Sequence, residues 1–505
     1  MFTQKFRNFT DTKWFLILGI ALSFVLHSFF FNNPPRYMHT WRQTITLSVA
    51  RNFYEEEMNI LKPRVDNRYD TKGITGCQFP SYEYLLANIY KVTGENYFVQ
   101  RVYAYAWHLL GVAGIYFLAL LLTKNRKIAN YSLWIYLWSP MLFYYGISAL
   151  PDNTALPMSI WGLYFCIRWI NKLANIEHEN ANLFYLGWMA LFTSALAGMT
   201  KMQYLAFGFF VISYVFHYRN NIYITKWLAL SIFGGIVATL TLGWYKYANY
   251  LIEQSGFSDF VVSVAFDKDI AKGLKTLSSN LISSLPENIL NFSSFTFFVI
   301  GIYWAFKNKI HKTVLGVSML VWVVVFIGYH IIELSKMGDH DYYMMPYMPI
   351  LVMVAAYGAY KVDVVFNKKW ILVLLILIQP VLVFVRIIIP GFLNKDPRVP
   401  IELYESESRT KLQKAVPNNA LCLVGPDVSK CINYYFIHKK GFGFCTNEEL
   451  LDKNKQGQIH LENYIQRGAK YIYTNSSDLL SNDLMKSHLD SLVLKEGEFY
   501  VYKLK

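Results

Sequence analysis

This 505-residue sequence predicts a polytopic α-helical membrane bundle with a small soluble α/β domain at its C-terminal end. Three observations carry the prediction. Hydrophobic residues make up 54% of the chain and charged residues only 16%, whereas soluble globular chains are about 25% charged. Uncharged apolar runs recur along the first 390 residues, most of them near the roughly 20 residues that cross a hydrocarbon core as helix. The formal charge of +14 is concentrated in alternate connections between those runs. A soluble or disordered protein is excluded, and five cysteines with no C-x-x-C pair exclude a disulfide scaffold or a zinc ribbon.

About eleven crossings are expected: Trp14 to Phe31, Val102 to Leu122, Ile128 to Leu150, Thr154 to Ile170, Leu183 to Met199, Met202 to Phe216, Trp227 to Tyr245, Asn288 to Phe306, Thr313 to Ile332, Tyr342 to Tyr360 and Trp370 to Ile389. The first run is too long, and lacks the small-residue cleavage site, to be a removed signal peptide. With a cytoplasmic N-terminus, the inner connections hold 15 Lys/Arg against four Asp/Glu, and the short outer ones only Lys201 and Lys336. Basic residues stay on the cytoplasmic side. The basic balance is therefore a topological signal rather than a nucleic-acid footprint, and the C-terminus is expected outside.

The expected domains are a transmembrane part, 1-390, with large outer loops at 32-100 and 246-287, and an extracytoplasmic α/β domain, 391-505. In loop 32-100, Ile45, Val49 and Phe53 repeat at four, and Tyr82, Leu85, Leu86, Ile89 and Tyr90 follow a helical stripe. Both read as interfacial helices. A third, weaker amphipathic run spans Phe260 to Leu285. The tail has 16 Lys/Arg and 14 Asp/Glu, an ordinary balance. Strands are expected at Ala420 to Val424, Lys470 to Tyr473 and Phe499 to Leu504, and helices at Ser429 to His438 and Leu461 to Arg467. Cys422, Cys431 and Cys445 would face an oxidising compartment, where one pair could bridge.

The polar residues with chemistry to offer gather on the outer connections. They are Tyr37-Met38-His39-Thr40-Trp41-Arg42-Gln43, then Ala50-Arg51-Asn52-Phe53-Tyr54, Pro63-Arg64-Val65-Asp66, Gln78-Phe79-Pro80, Pro151-Asp152, Lys201 and His340-Asp341-Tyr342-Tyr343. Lys201 apart, this spaced set, over about residues 14-360, resembles the bacterial GT-C glycosyltransferases, relatives of the protein mannosyltransferases and of the aminoarabinose transferase of lipid A. The resemblance implies a large first outer loop with two interfacial helices, a polyprenyl-phosphate sugar donor and an inverting transfer on the outer leaflet. Many relatives carry an Asp before His-x-Trp-Arg-Gln and a Glu before Phe-Pro; this chain has Tyr37 and Gln78 there. The catalytic acid is therefore sought among Asp152, Asp66, Asp341 and Glu83.

Displacing a lipid phosphate from an anomeric carbon needs a base for the acceptor hydroxyl and cations for the leaving phosphate, through an oxocarbenium-like transition state. Asp152 suits the base, and Arg42, Lys201 and His340 suit the phosphate. His39, Gln43, Gln78 and Tyr343 complete the expected donor site. Each has a plainer structural reading. Asp152 and Asn153 could cap a helix, Lys201 could snorkel, and Tyr342 and Tyr343 could belong to an aromatic belt. Arg42 and Gln43 could pair with Glu55 or Glu57. His27 and His108 read as packed core.

The sequence therefore points to a multi-pass inner-membrane glycosyltransferase. Its partners would be a polyprenyl-phosphate-linked sugar, a lipid, glycan or protein acceptor, and membrane lipids, with no nucleic acid. No cofactor or metal ligand set is fixed by the sequence, and a divalent cation stays open. The non-enzyme alternative is a lipid-linked-sugar flippase or an inactive component of surface-polysaccharide assembly. A transporter would place polar residues at mid-membrane depth, and these spans are almost free of charge. The charge asymmetry makes one direct prediction. Topology reporters fused after Leu122 and after Lys505 should report opposite sides of the membrane, and matching signals would refute the scheme.

Overall fold

The structure is a computed structural model that describes residues 8-176, 182-256, 270-334, 336-366, 370-454 and 456-505. The amphipathic run expected from Phe260 begins outside the described residues, as do parts of the inner connections 1-13, 171-182 and 361-369. Along the chain the main helices are α1 (Lys13–Ser28), α2 (Thr40–Glu55), α3 (Ser81–Thr93), α4 (Tyr97–Thr123), α5 (Arg126–Leu137), α6 (Pro140–Tyr145), α7 (Asp152–Leu173), α8 (Leu183–Thr200), α9 (Phe207–His217), α10 (Ile224–Ser255), α11 (Ile270–Ser279), α12 (Phe292–Lys307), α13 (Val314–Ile332), α14 (Met348–Val365) and α15 (Trp370–Leu377). Five sheet strands occupy the tail. The protein is thus a polytopic helical membrane protein with a small mixed C-terminal sheet.

Polar caps set the helix starts. The side chains of Asn96, Asn125, Asn182, Asn291 and Thr313 accept from backbone N–H groups at the starts of α4, α5, α8, α12 and α13, satisfying donors that a helix leaves open at its first turn. Among the described residues, six helices are long and apolar enough to cross a membrane, or seven if 271-289 and 292-307, bent by 116°, form one span. The other expected crossings are helical but shorter, broken or more polar. The run Ile128 to Leu150 stops at Trp138 and restarts at Ser139, whose hydroxyl accepts from Leu142 N, with Pro140 as the first helical residue. The run from Met202 opens as a 3₁₀ turn before α9. Helix α7 is 22 residues long but carries Asp152, Arg168 and Lys172.

Contacts divide the chain into two units. The first comprises Met1–Asn32, Asn96–Lys246 and Val262–Leu393; the second comprises Asn33–Glu95, Tyr247–Val261 and Asn394–Lys505. In the first unit α5 is buried nearly all round, with Trp134, Tyr131 and Tyr136 inside. Phe24, Phe184, Trp188, Ile212, Leu228 and Val324 are exposed apolar side chains on other helices, as expected of surfaces that face lipid rather than water. Helices α12 and α14 meet backbone to backbone, since a Cβ on Gly358 would lie 1.8 Å from the Phe297 carbonyl oxygen.

In the second unit the sheet order is β2-β1-β3-β5-β4. Strand β1 (Leu421–Val424) pairs in parallel with β2 (Lys440–Gly443) and β3 (Ala469–Thr474); β4 (Leu489–Glu496) and β5 (Phe499–Leu504) close the other side antiparallel. Leu423, Phe442, Phe444, Leu450, Leu461 and Ile472 form its core. The first outer loop extends this sheet, because Arg68 N donates to Gly441 O at 2.7 Å and Gly441 N to Asp66 O at 3.1 Å. Helix α2 is buried from Thr40 to Phe53 apart from Trp41, so it is a core helix rather than one lying half in an interface. No disulfide joins any of the five cysteines, so the bridge left open among Cys422, Cys431 and Cys445 is not formed.

A buried ion pair ties α5 to α14 in the first unit: Lys127 Nζ lies 2.8 Å from Asp363 Oδ2, and the carboxylate has no solvent exposure. Removing one partner of a buried pair costs about 3–5 kcal/mol. Lys127→Met should therefore lower the melting temperature markedly, and Lys127→Met with Asp363→Leu should recover most of the loss. Equal melting of Lys127→Met and wild type would show that the pair is not structural.

Candidate active site

The first unit brings five of the expected site residues together. Asp152 is the first residue of α7, after Pro151, and is fully buried. Lys201 follows the last turn of α8 in extended conformation, and the 3₁₀ turn Met202–Ala206 then carries Tyr204 back. Lys201 Nζ lies 2.7 Å from Asp152 Oδ2, and the Tyr204 hydroxyl donates to Asp152 Oδ1 at 2.8 Å. The ammonium also sits 4.6 Å from the ring centre of Tyr342 and 5.1 Å from that of Tyr343, within cation–π range. His340 packs on both rings at 5.6 Å. Asp341 accepts a hydrogen bond from the Tyr145 hydroxyl, and the Tyr145 ring meets Tyr342 at 6.0 Å.

These contacts bear on the plainer readings of several residues. Asp152 binds Lys201 and Tyr204 side chains rather than serving only as a helix cap, while Asn153 donates to Ser148 O at 2.5 Å. Lys201 is turned inward onto a carboxylate, with only a tenth of its side chain exposed, which a snorkelling lysine would not be. Tyr342 is buried, unlike a belt residue. His27 and His108 are packed core, with His27 Nε2 2.9 Å from Phe143 O.

A second cluster lies within the second unit. Arg42, in the first turn of α2, donates from Nη2 to Gln78 Oε1 at 2.6 Å, and Gln78 Nε2 donates to Glu83 Oε1 at 2.8 Å. Glu83 has no exposure, and its Oε2 has no hydrogen-bond partner. Burial pushes its carboxyl up to about 7, against the opposing pull of its own backbone amide, Arg42 and Gln78. His39 precedes α2 with φ 52°, and Gln43 Nε2 donates to Met38 O at 3.1 Å. Asp66 stands apart from this chain, accepting from Asn52 Nδ2 at 2.8 Å. Glu55 is engaged by His438 and Lys440, and Glu57 by Arg64, so Arg42 reads an amide where a carboxylate partner was one expectation.

Among the described residues, one group has metal-ligand proximity: Glu55, Glu95 and His438. Its charge is already met. Arg51 grips Glu95 through Nε at 2.8 Å and Nη2 at 2.9 Å, and Lys440 lies 3.0 Å from Glu55. Both carboxylates already have a cation of the protein as partner, so this group is a poor fit for a divalent ion.

The first unit also holds an apolar groove of about 530 Å³ between α12, α13 and α14, lined by residues such as Phe298, Ile302, Leu320, Val323, Ile350 and Val354. His330 and Tyr347 stand in its lining, with Nδ1 3.1 Å from the hydroxyl.

No protein-family profile matches the chain, and no curated protein matches it in sequence. Solved structures do match. ArnT from Cupriavidus metallidurans, in the apo state, is similar over 96% of this chain and 97% of its own, at TM-score 0.64 and 11% identity. The chain has a GT-C fold. The Archaeoglobus fulgidus oligosaccharyltransferase solved with zinc and sulfate is similar over 95% of this chain and 71% of its own, at TM-score 0.59 and 10% identity. The oligosaccharyltransferase AglB of the same organism, solved with an inhibitory peptide and a dolichol-phosphate, gives TM-score 0.57 and 10% identity over 91% and 69%.

Within this GT-C fold the residues that sequence reasoning missed are Tyr204 and Tyr145. Nothing in their neighbourhood marks them, since each is one of 38 tyrosines and each meets its aspartate only through the packing of distant segments. Tyr204→Phe keeps the ring and removes the donor to Asp152 Oδ1. Leaving a buried polar acceptor unmet costs about 1–3 kcal/mol, so the variant should melt below wild type, while Tyr185→Phe, at an exposed ring, should not.

Proposed function

We propose that the protein transfers a sugar from a polyprenyl-phosphate donor to a lipid, glycan or protein hydroxyl on the outer face of the cytoplasmic membrane, with inversion at the anomeric carbon. The observation that carries this reading is the Lys201–Asp152 pair held against Tyr342 and Tyr343, in a chain with the GT-C fold. One carboxylate and one cation thus stand together where a sugar phosphate could be divided between them. ArnT and AglB support the reading at the level of fold, and the dolichol-phosphate in the AglB structure shows that protein meeting a lipid phosphate.

The reaction then runs as a single displacement. Asp152 takes the proton of the acceptor hydroxyl as its oxygen forms a bond to the anomeric carbon. The bond from that carbon to the phosphate oxygen breaks, and the electron pair leaves on the lipid phosphate. Lys201 moves its charge from Asp152 to the leaving phosphate, and His340 adds a donor. In the first unit Tyr343 lines the sugar; in the second, Arg42, with His39, Gln43 and Gln78, is the candidate for binding the donor phosphate. Asp66, tied to Asn52, and Asp341, tied to Tyr145, orient their neighbours rather than move protons. The apolar groove between α12, α13 and α14 takes the polyprenyl chain.

Glycan mass spectrometry of a deletion strain tests the activity and identifies the sugar. In a reconstituted assay, Arg42→Ala and Lys201→Ala should each lower kcat by about 10²–10³, the scale of losing one donor to a developing oxyanion. Asp152→Asn should slow the chemical step by about 10²–10⁴ and keep donor binding. Normal transfer by Asp152→Asn alongside an inactive Asp66→Asn or Asp341→Asn would move the base; full activity in all three would refute the mechanism.

A further inference from the structure

Gln78 is flanked by a cation on one side and a buried acid on the other. An amide can accept from a guanidinium and donate to a carboxyl at the same time, and Gln78 does both, at 2.6 Å and 2.8 Å. The amide is therefore locked one way round. Its oxygen faces Arg42 only while Glu83 accepts from its nitrogen. Glu83 is the first-turn acid of α3, without solvent contact and with one carboxyl oxygen unmet. The charged and titratable groups that act on it are Arg42 from α2 and Cys77 from the segment entering α3. We propose that Glu83 is the positioning residue of Arg42, fixing the guanidinium through Gln78 and setting, by its own protonation, how much of the Arg42 charge is left for the phosphodiester of a lipid-linked donor.

This rests on the function proposed above and adds a regulatory acid to it. With Glu83 protonated, Arg42 is held in place with its charge unopposed. With Glu83 ionised, a negative charge stands one amide away and competes with the ligand. Ionisation near neutrality follows from burial, which lifts the carboxyl to about 7. The sign for stability is then fixed: the folded state keeps a proton that the unfolded chain has lost, so wild type loses stability relative to Glu83→Gln as pH rises from the ordinary carboxylate range through about 7.

Two measurements on the full-length protein in detergent test the proposal. The first uses no ligand. Melting temperatures of wild type, Arg42→Gln, Glu83→Gln and the double variant form a cycle at pH 6 and pH 8. Coupling that grows at pH 8 is expected, and additivity at both pH values overturns the link between the two residues. The second measures binding of farnesyl methyl phosphate, a phosphodiester whose single charge is constant over this range. Wild-type affinity should weaken about tenfold from pH 6 to pH 8, the scale of one added charge at an effective dielectric near 20, whereas Glu83→Gln should stay at the tighter value. Glu83→Leu, which cannot accept from Gln78, should bind weakly at both. The same pH dependence in Glu83→Gln as in wild type overturns the proposal. A coupled pair with no phosphodiester binding at any pH refutes the glycosyltransferase reading and the ligand role of Glu83 with it; binding without coupling refutes Glu83 alone.

Discussion

A carboxylate taken out of water must find a cation, a set of donors or a proton, and this requirement organises the structure. Asp152, Asp363 and Glu83 are all fully buried, and each meets it differently. Asp363 has Lys127. Asp152 has Lys201 and the Tyr204 hydroxyl. Glu83 accepts from the Gln78 amide on one oxygen, has no lysine, and holds its proton up to about 7. Burying an unpaired charge costs several kcal/mol after relaxation, which is why two of the three have a lysine partner and the third keeps its proton.

The same requirement explains what the sequence reveals. Apolar runs without charges can only be helices that meet lipid or each other, so the bundle is legible from composition and period. Caps and breaks are legible too, because Asn96, Asn125 and Ser139-Pro140 act on their own neighbours. In the tail, β1, β3 and β5 fall within a residue of the expected strands, since a buried strand is a short local signal. Strand β4 was invisible: most of its residues are exposed on an edge, so it carries no alternation to read.

The two candidate clusters were legible only in their parts. His39, Arg42 and Gln43 announce themselves as polar residues at one helix start, and Asp152 and Lys201 as isolated charges between apolar spans. That Lys201 would close on Asp152, 49 positions apart in the chain, or that Asp341 would take a hydroxyl from Tyr145, depends on how helices pack and leaves no mark on either neighbourhood. Asp66 looks as reactive as Asp152 in sequence, and its neighbourhood in the fold is the sheet extension at Gly441 and the Asn52 amide.

The same requirement bears on how an aspartate and a lysine can be buried side by side. Separately, each would attract water or counter-ions and raise the cost of closing the site. Together they are neutral, and Tyr342 and Tyr343 give the ammonium two polarised faces in place of lost hydration. On the proposed function, an anionic phosphate would compete with Asp152 for Lys201 while Tyr204 still holds the other carboxylate oxygen, so one exchange of partners would serve both the leaving group and the acceptor hydroxyl.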